Sequence, residues 1–478
     1  MIKLDYRNFV EKLLINNKGT ILNYKDLKFN LKSISQKRDY STLLNDRSFY
    51  NFYKNFKLQN NHVLSELISK KYAEIHSKGK KKIKLNISFT NIKSYLLKTE
   101  FILNLVLFFN NIFSKKIQIR NNDFFFCFAH NLKHVNYVRP IFKKLNLKCI
   151  FVIVTKKQRL DLNLKKSETF LLPNINIFET NFCCDDEAII KLYLKSSYKL
   201  LNKYKPKFIL TVEGDQPYAE ALALVSRKLN IKSVCLQWGV SPGNTPKVPF
   251  MNMSYDYFIS WGPFFSKQLK PFNKTTKFLD FGNFNFIDKN NKNNKNNKVL
   301  FVLQPPDFSL TKKYFQNLYL LASKLAKQFK KWAFVVREHP DYKFKNLFDE
   351  KLKDKPKNVY IEKYNKKTID KSLSESKIVV GIWSSSLLEG LFYRTIPCVL
   401  RFNNSFKYYP DFKKEGIGFV ENNIKKMESQ IIKLIKNKKF FNNFNHKINL
   451  KNKILFSKKN GTYSKNKILN FLNELGQN

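Results

Sequence analysis

After about residue 118 the chain settles into short, almost unbroken apolar runs separated by stretches of helical period. DFFFCFA (123–129), KCIFVIVT (148–155), KFILTVE (207–213), KSVCLQW (232–238) and YDYFISW (255–261) have the length and content of buried strands. PYAEALALVSRKLN (217–230) has the apolar spacing of a helix between two of them. Strand and helix in alternation predict a parallel sheet with helical crossovers. DKNNKNNKNNK (288–298) then breaks the pattern; it has no apolar residue, cannot add to a core, and reads as a linker or exposed loop.

A second series follows. VLFVLQPP (299–306), KWAFVVREHP (331–340), NVYIEKY (358–364), KIVVGIW (377–383) and IPCVLRF (396–402) read as strands, with helices such as KYFQNLYLLASKLAKQFK between them. The expected architecture is therefore α/β: a helical N-terminal extension over 1–118, a Rossmann-like domain over 119–287, the linker, and a second Rossmann-like domain over 299–478 carrying the C-terminal helices. Two such domains face each other across a cleft, and ligands in such sheets bind at the carboxyl ends of the strands. Those ends are where chemistry is to be sought.

Composition alters this picture little. The 478 residues include 88 Lys and Arg and carry a net charge of +52, a balance that suggests nucleic acid at first sight. Only ten of the basic residues are arginine, and the lysines are dispersed among abundant Asn, Ile and Phe, as an A/T-rich coding composition would give. The charge still draws the surface toward anionic lipid and phosphorylated or acidic substrates. Six cysteines show no paired metal spacing, and four of them (Cys127, Cys149, Cys235, Cys398) sit in or beside apolar runs, as in a reducing cytoplasm. The N-terminus has no long apolar stretch of the secretory kind. The segment Ser94 to Phe113 has too short an apolar run to span a bilayer, which needs roughly 20 residues. It reads as a core helix, or else as an interfacial helix on the inner leaflet.

Five strand ends carry polar residues that a plain connection does not need. In FAHNLKHVNYVRP, His130, His134 and Arg139 follow the first strand. In TVEGDQPYAEA, Glu213 and Asp215 flank Gly214; either is a candidate general base for an acceptor hydroxyl, while Asp215 or Gln216 equally suits a helix cap. In LQWGVSPGNTP, Gln237 and Trp238 end a strand, and Gly239 opens a loop that can bring backbone N–H groups to a ligand or simply turn. In VVREHPDY, Arg337, Glu338 and His339 end a strand; in GIWSSSLLEG, Ser384, Ser385 and Ser386 mark the passage from strand to helix, with Glu389 in the first turns. Hydroxyls and a helix N-terminus suit a phosphate, and a carboxylate suits ribose hydroxyls. A capping box between Ser386 and Glu389 explains the same spacing without a ligand.

The pairing of His339–Pro340 with Ser384–Ser385–Ser386 and Glu389 resembles the motifs of GT-B glycosyltransferases that build bacterial surface polysaccharides. Polysialyltransferases, capsule Kdo transferases and CDP-glycerol polymerases share it. VCLQWGVSP followed by YDYFISWG is similar to further segments of such proteins, and the resemblance covers residues 123 to 445. It implies that His339, Ser384, Ser385 and Ser386, with Arg337 beside them, hold the donor's nucleotide phosphate, and that Glu389 binds the nucleotide. Trp238 departs from the pattern, standing where a histidine is usual, so the base is expected among Glu213, Asp215 and His130. No Asp-x-Asp stands in these loops, so neither metal nor other cofactor is expected.

The expected function is transfer of a sugar from a nucleotide-activated donor to a surface glycan or glycolipid, such as capsule or lipopolysaccharide. The site is expected to be cytoplasmic or on the inner face of the plasma membrane, with anionic lipid as a peripheral partner. The rivals are a nucleotide-sugar 2-epimerase of the same architecture, an inactive scaffold, and a basic nucleic-acid-binding protein; for the last the chain offers no recognised motif and no clustered charge.

Overall fold

The computed structural model describes residues 123–477 except 130, 154–155, 172–185, 215–216, 240–252, 287–295, 304–311, 340–354, 365, 383, 401–410 and 458–460. The N-terminal extension, the 94–113 segment, His130, Asp215, Gln216 and most of the linker lie outside the described residues.

The first half runs Phe124–Phe128 (β1), Leu132–Phe142 (α1), Lys148–Ile153 (β2), Lys156–Asp161 (α2), Thr169–Leu171 (β3), Asp186–Tyr204 (α3), Phe208–Val212 (β4), Pro217–Lys228 (α4), Lys232–Leu236 (β5), Tyr257–Ile259 (β6), Pro263–Leu269 (α5) and Lys277–Leu279 (β7). The second runs Lys298–Val302 (β8), Lys312–Gln328 (α6), Ala333–Arg337 (β9), Val359–Glu362 (β10), Ile369–Glu375 (α7), Ile378–Gly381 (β11), Ser385–Phe392 (α8), Ile396–Leu400 (β12), Phe419–Glu421 (β13), Ile424–Lys436 (α9), Lys438–Leu455 (α10) and Thr462–Gln477 (α11).

Two parallel sheets result, ordered β3-β2-β1-β4-β5-β6-β7 and β10-β9-β8-β11-β12-β13. All ten strands read from the sequence are present. Where they are described, as at Glu213, Gln237 and Glu338, the polar residues that close the apolar runs lie beyond the strands. Three strands, β3, β7 and β13, were not legible: each has three residues and lies at a sheet edge, too short for any period to show.

Why these runs become central strands is visible in their burial. β1, β4, β8, β11 and β12 are buried along their whole length, as expected of parallel strands covered by helices on both faces. Each fully buried Phe, such as Phe125 stacked 4.7 Å from Phe208, contributes roughly 2 kcal/mol. Cys127, Cys235 and Cys398 are buried and all four described cysteines are free. Among the described residues no helix is long and apolar enough to cross a membrane.

The chain divides differently from the expected boundary. Helix α11, assigned from sequence to the second domain, packs its Ile468, Leu469 and Leu472 into the same core as Phe125, Val138 and Ile141 of the first. Phe471 adds ring contacts to Tyr257 at 5.0 Å and Phe281 at 5.8 Å. Conversely Trp261, Phe265 and Phe286 belong to the second core, where Phe286 stacks 4.3 Å from Phe392. An amphipathic helix announces that it needs a core and not which core, so the sequence could not place α11. These crossings tie the two sheets together.

Candidate functional site: the cleft between two sheet edges

In each sheet the strand order reverses at one point, between β1 and β4 in the first and between β8 and β11 in the second. There the crossover helices leave to opposite faces and open a crevice at the strand ends. A cleft of about 980 Å³ lies there, lined from the first sheet by Asn131, Lys133, Tyr137 and Trp238, and from the second by Leu303, Arg337, Glu338, His339, Asp370, Ser384 to Ser386 and Glu389.

On the second edge, Gly381 ends β11 where a Cβ would come within 2.8 Å of Val302 Cγ2, so the strand can approach β8 only with glycine there. Ser384 then caps α8: its backbone is extended and its Oγ accepts from the Ser386 N–H at 3.2 Å. The capping box between Ser386 and Glu389 does not form, because the cap is two residues earlier. Glu389 instead accepts from the Ser385 hydroxyl. Burial, and then the neighbouring Asp370 carboxyl, raise Glu389 from its ordinary 4.5 to about 7. Burial also raises Asp370, whose Oδ1 accepts from the Tyr393 hydroxyl at 2.8 Å.

Arg337 has other commitments than the expected phosphate. It is 7% exposed, and its guanidinium donates to Glu362, to Ser372 Oγ at 3.2 Å and to the carbonyls of Tyr364 at 3.2 Å and Lys367 at 2.6 Å. Glu362 also stands 3.8 Å from the buried Lys298, whose ammonium form is disfavoured by burial. This network pins the segment from β10 to α7, which presents Thr368, Ile369 and Asp370 to the cleft. Asp370 went unread in the sequence, although TIDKS carries a helix-start signature: Thr368 caps α7, accepting from the Lys371 N–H at 3.3 Å.

On the first edge, Gln237 works as a bracket. Its Oε1 accepts from the Trp261 N–H at 2.8 Å, its Nε2 donates to the Gly239 carbonyl at 3.0 Å, and its own carbonyl accepts from Trp261 Nε1 at 3.1 Å and the Tyr137 hydroxyl at 3.3 Å. The amide is therefore spent on shaping the loop, and Trp238 is held into the cleft, 5.0 Å from the His134 ring and 4.9 Å from Tyr137. Glu213 and Gly214 leave β4 in left-handed conformation, φ 70° and 72°. At Gly214 a Cβ would lie 2.6 Å from Cys235 Sγ, so glycine is required; at Glu213 the conformation costs about 1 kcal/mol or more. That strain turns its carboxylate toward buried His134, 3.4 Å away. Arg139 donates to the Asn163 carbonyl at 2.8 Å and takes no part in the cleft lining.

Two sheets with this topology, their switch points opposed across one cleft, define the GT-B class of fold. No protein-family model and no curated protein sequence matches the chain. Among solved structures, a candidate UDP-N-acetylglucosamine 2-epimerase from Listeria monocytogenes superposes with a TM-score of 0.50 and 12% identity over 73% of this chain and 95% of its own. The UDP-GlcNAc 2-epimerase from Neisseria meningitidis, solved with UDP-GlcNAc bound, gives a TM-score of 0.47 at 14% identity, over 73% of this chain and 99% of its own. The spinosyn rhamnosyltransferase SpnG gives 0.42 at 13% identity, over 68% and 96%. The chain is similar in fold to the first of these, and at this identity the likeness extends to fold alone.

Proposed function

We propose that the cleft binds a nucleotide-activated sugar and transfers its glycosyl group to a hydroxyl of a surface-glycan acceptor. The observation that carries this reading is the Ser384-capped N-terminus of α8 facing, across one cleft, a wall of amide and aromatic side chains. The helix N-terminus, the serine hydroxyls and His339 meet the donor phosphates, and Glu389 meets the ribose. Trp238, Asn131 and Lys133 offer the acceptor a ring face and polar hydrogen-bonding groups. Glu213 takes the acceptor proton, and the charge developing on the leaving phosphate is met by the groups already placed for it. A volume near the upper end of ordinary ligand sites leaves room for two substrates. The groups named need no metal, so turnover is expected to survive a chelator.

The second reading is a nucleotide-sugar 2-epimerase, favoured by the fold shared with the Listeria protein. An epimerase consumes its substrate with no acceptor present. A thermal-shift screen against UDP-, CMP-, CDP- and GDP-sugars, followed by product analysis with and without a glycan acceptor, separates the two. Stabilisation by no nucleotide sugar sinks both, and conversion without acceptor decides for the epimerase.

A further inference from the structure

Asp370 and Glu389 stand on consecutive crossover helices, α7 and α8, and both line the cleft. Each is half-buried, so neither is sealed from that space. Their placement is fixed from behind. The hydroxyl of Tyr393, one residue past the end of α8, donates to Asp370 Oδ1 at 2.8 Å. The buried Thr395 hydroxyl lies 2.7 Å from the Leu373 carbonyl and 3.0 Å from that of Ser376, so the chain leaving α8 is bonded to the end of α7. The two charges also meet at one place. After burial, it is Asp370 that raises Glu389, which puts the carboxylates within electrostatic reach of each other. On the facing wall burial, and more weakly both carboxylates, raise the Tyr137 hydroxyl.

Such a pair repels itself, and hydrogen-bond donors must answer it. The protein supplies one side-chain hydroxyl to each, Tyr393 to Asp370 and Ser385 to Glu389, and Asp370 also meets its own backbone N–H. Arg337 acts on Asp370 through its charge, its donors being spent on Glu362, Ser372, Tyr364 and Lys367. A carboxylate has about four acceptor sites, so capacity remains on both. A ligand with closely spaced O–H donors complements it. Position along α8 selects which donors: Glu389 lies five residues past the cap Ser384, roughly 7.5 Å along the helix axis. A nucleotide whose phosphate sits at the N-terminus of α8 brings its ribose hydroxyls about that far.

We propose that Asp370 is a second specificity-determining residue of the nucleotide site: it and Glu389 take one ribose hydroxyl each, and the pair selects ribonucleotides over deoxyribonucleotides. This rests on the nucleotide-binding part of the reading given above. A site whose acceptors are placed for a hydroxyl discriminates against the analogue that lacks it, because the buried charge is then left unanswered.

The test is calorimetric titration of wild type and Asp370→Asn, in the presence of EDTA, with UDP, CDP and GDP and with the 2′-deoxy and 3′-deoxy form of each. For the base that binds, wild type is expected to lose about tenfold in affinity with either deoxy form. In Asp370→Asn one of those two losses is expected to shrink to within about twofold while the other persists. A merely structural role for Asp370 would not move one loss and spare the other. Wild type indifferent to both hydroxyls, or a variant that keeps both losses or sheds both together, overturns the proposal. So does a ribose preference that appears only when Mg²⁺ replaces the chelator, since the pair then holds a cation. Should Asp370→Asn not fold, Tyr393→Phe decides: it leaves the charge and removes the anchor, and one loss is expected to weaken by about threefold, whereas two unchanged losses overturn the proposal. Binding of no nucleotide by wild type breaks the nucleotide-sugar reading itself, a failure distinct from that of Asp370.

Discussion

The two edges of the cleft are built by opposite means. On the second, charges are neutralised within the protein: Arg337, Glu362, Lys298 and Glu375 hold one another, and the dipole of α8 is left to face the cleft. On the first, the described framework is one of edge-on and tilted rings and an amide bracket, with a strained turn placing Glu213 3.4 Å from the buried His134. In the proposed role the second edge offers a phosphate a helix N-terminus on a charge-neutralised frame, with Glu389, raised to about 7, the group beside it that changes state near neutrality. The first edge offers Glu213, the carboxylate proposed above as the base, in a left-handed turn beside a buried histidine. Under the proposed transfer reading, recognition falls to one domain and proton transfer to the other.

The largest expected effect tests that division directly. Glu213→Ala lowers acceptor-dependent kcat by about 10²- to 10⁴-fold and leaves nucleotide affinity within about twofold, measured by steady-state kinetics and calorimetric titration. A matching loss of nucleotide affinity would show that the first edge also binds the donor, and the division fails.

Arg337→Met comes next. Removing one partner of a buried ion network leaves Glu362 with only the more distant Lys298 as a cation, and about 3 kcal/mol of stability is lost in denaturant unfolding. Should stability hold while nucleotide affinity falls tenfold, the guanidinium serves the phosphate, as its position beside His339 in the sequence suggested, and the network is incidental.

These two residues also mark what could be read without a structure. The strand ends of both sheets were legible because apolar runs in a parallel sheet are nearly continuous, so the first polar residue after each run falls at the ligand-binding edge. Glu213 and Ser384 were picked out in that way; Ser384 lines the cleft, and Glu213 follows β4 without being part of the lining. Direction was not legible. Arg337 looked as available as His339 in VVREHP, and only the packing of β10 and α7 shows its donors turned inward. Gln237 was read as a cleft residue and proves to be the bracket for Trp238. Asp370 was missed because it follows a loop and starts a short helix, where the search along strand ends does not look.

Glu389→Gln has a smaller effect, and its sign depends on pH. Raised from 4.5 to about 7, Glu389 binds more protons in the folded state than in the unfolded state between those values. Its contribution to stability is complete at low pH, is lost as pH rises through that window, and is flat above it. The neutral amide escapes this loss, so the variant is expected to gain on wild type by about 2 kcal/mol by pH 8, allowing for the partial exposure of the carboxyl, and to lose that advantage near pH 5. Nucleotide affinity falls in the same variant, since an amide is a weaker acceptor for ribose hydroxyls. A stability difference that does not vary with pH would place the carboxyl in water, and the second edge would no longer be the dry, preset surface contrasted with the first.

The smallest effect separates the two roles of the serine run. Ser384→Ala removes the side-chain acceptor of the α8 cap and costs about 1 kcal/mol of stability. Ser384→Asp restores a cap as good as serine, and a carboxylate at a helix N-terminus is favoured by the dipole, so stability is expected to match wild type. The same carboxylate occupies with negative charge the position proposed for the donor phosphate. Nucleotide affinity is therefore expected to fall by tenfold or more, a repulsion of about 1.4 kcal/mol, with the fold intact. If the serine is only a cap, Ser384→Asp binds nucleotide as wild type does, and the N-terminus of α8 ceases to be the anion site on which the contrast between the two edges depends.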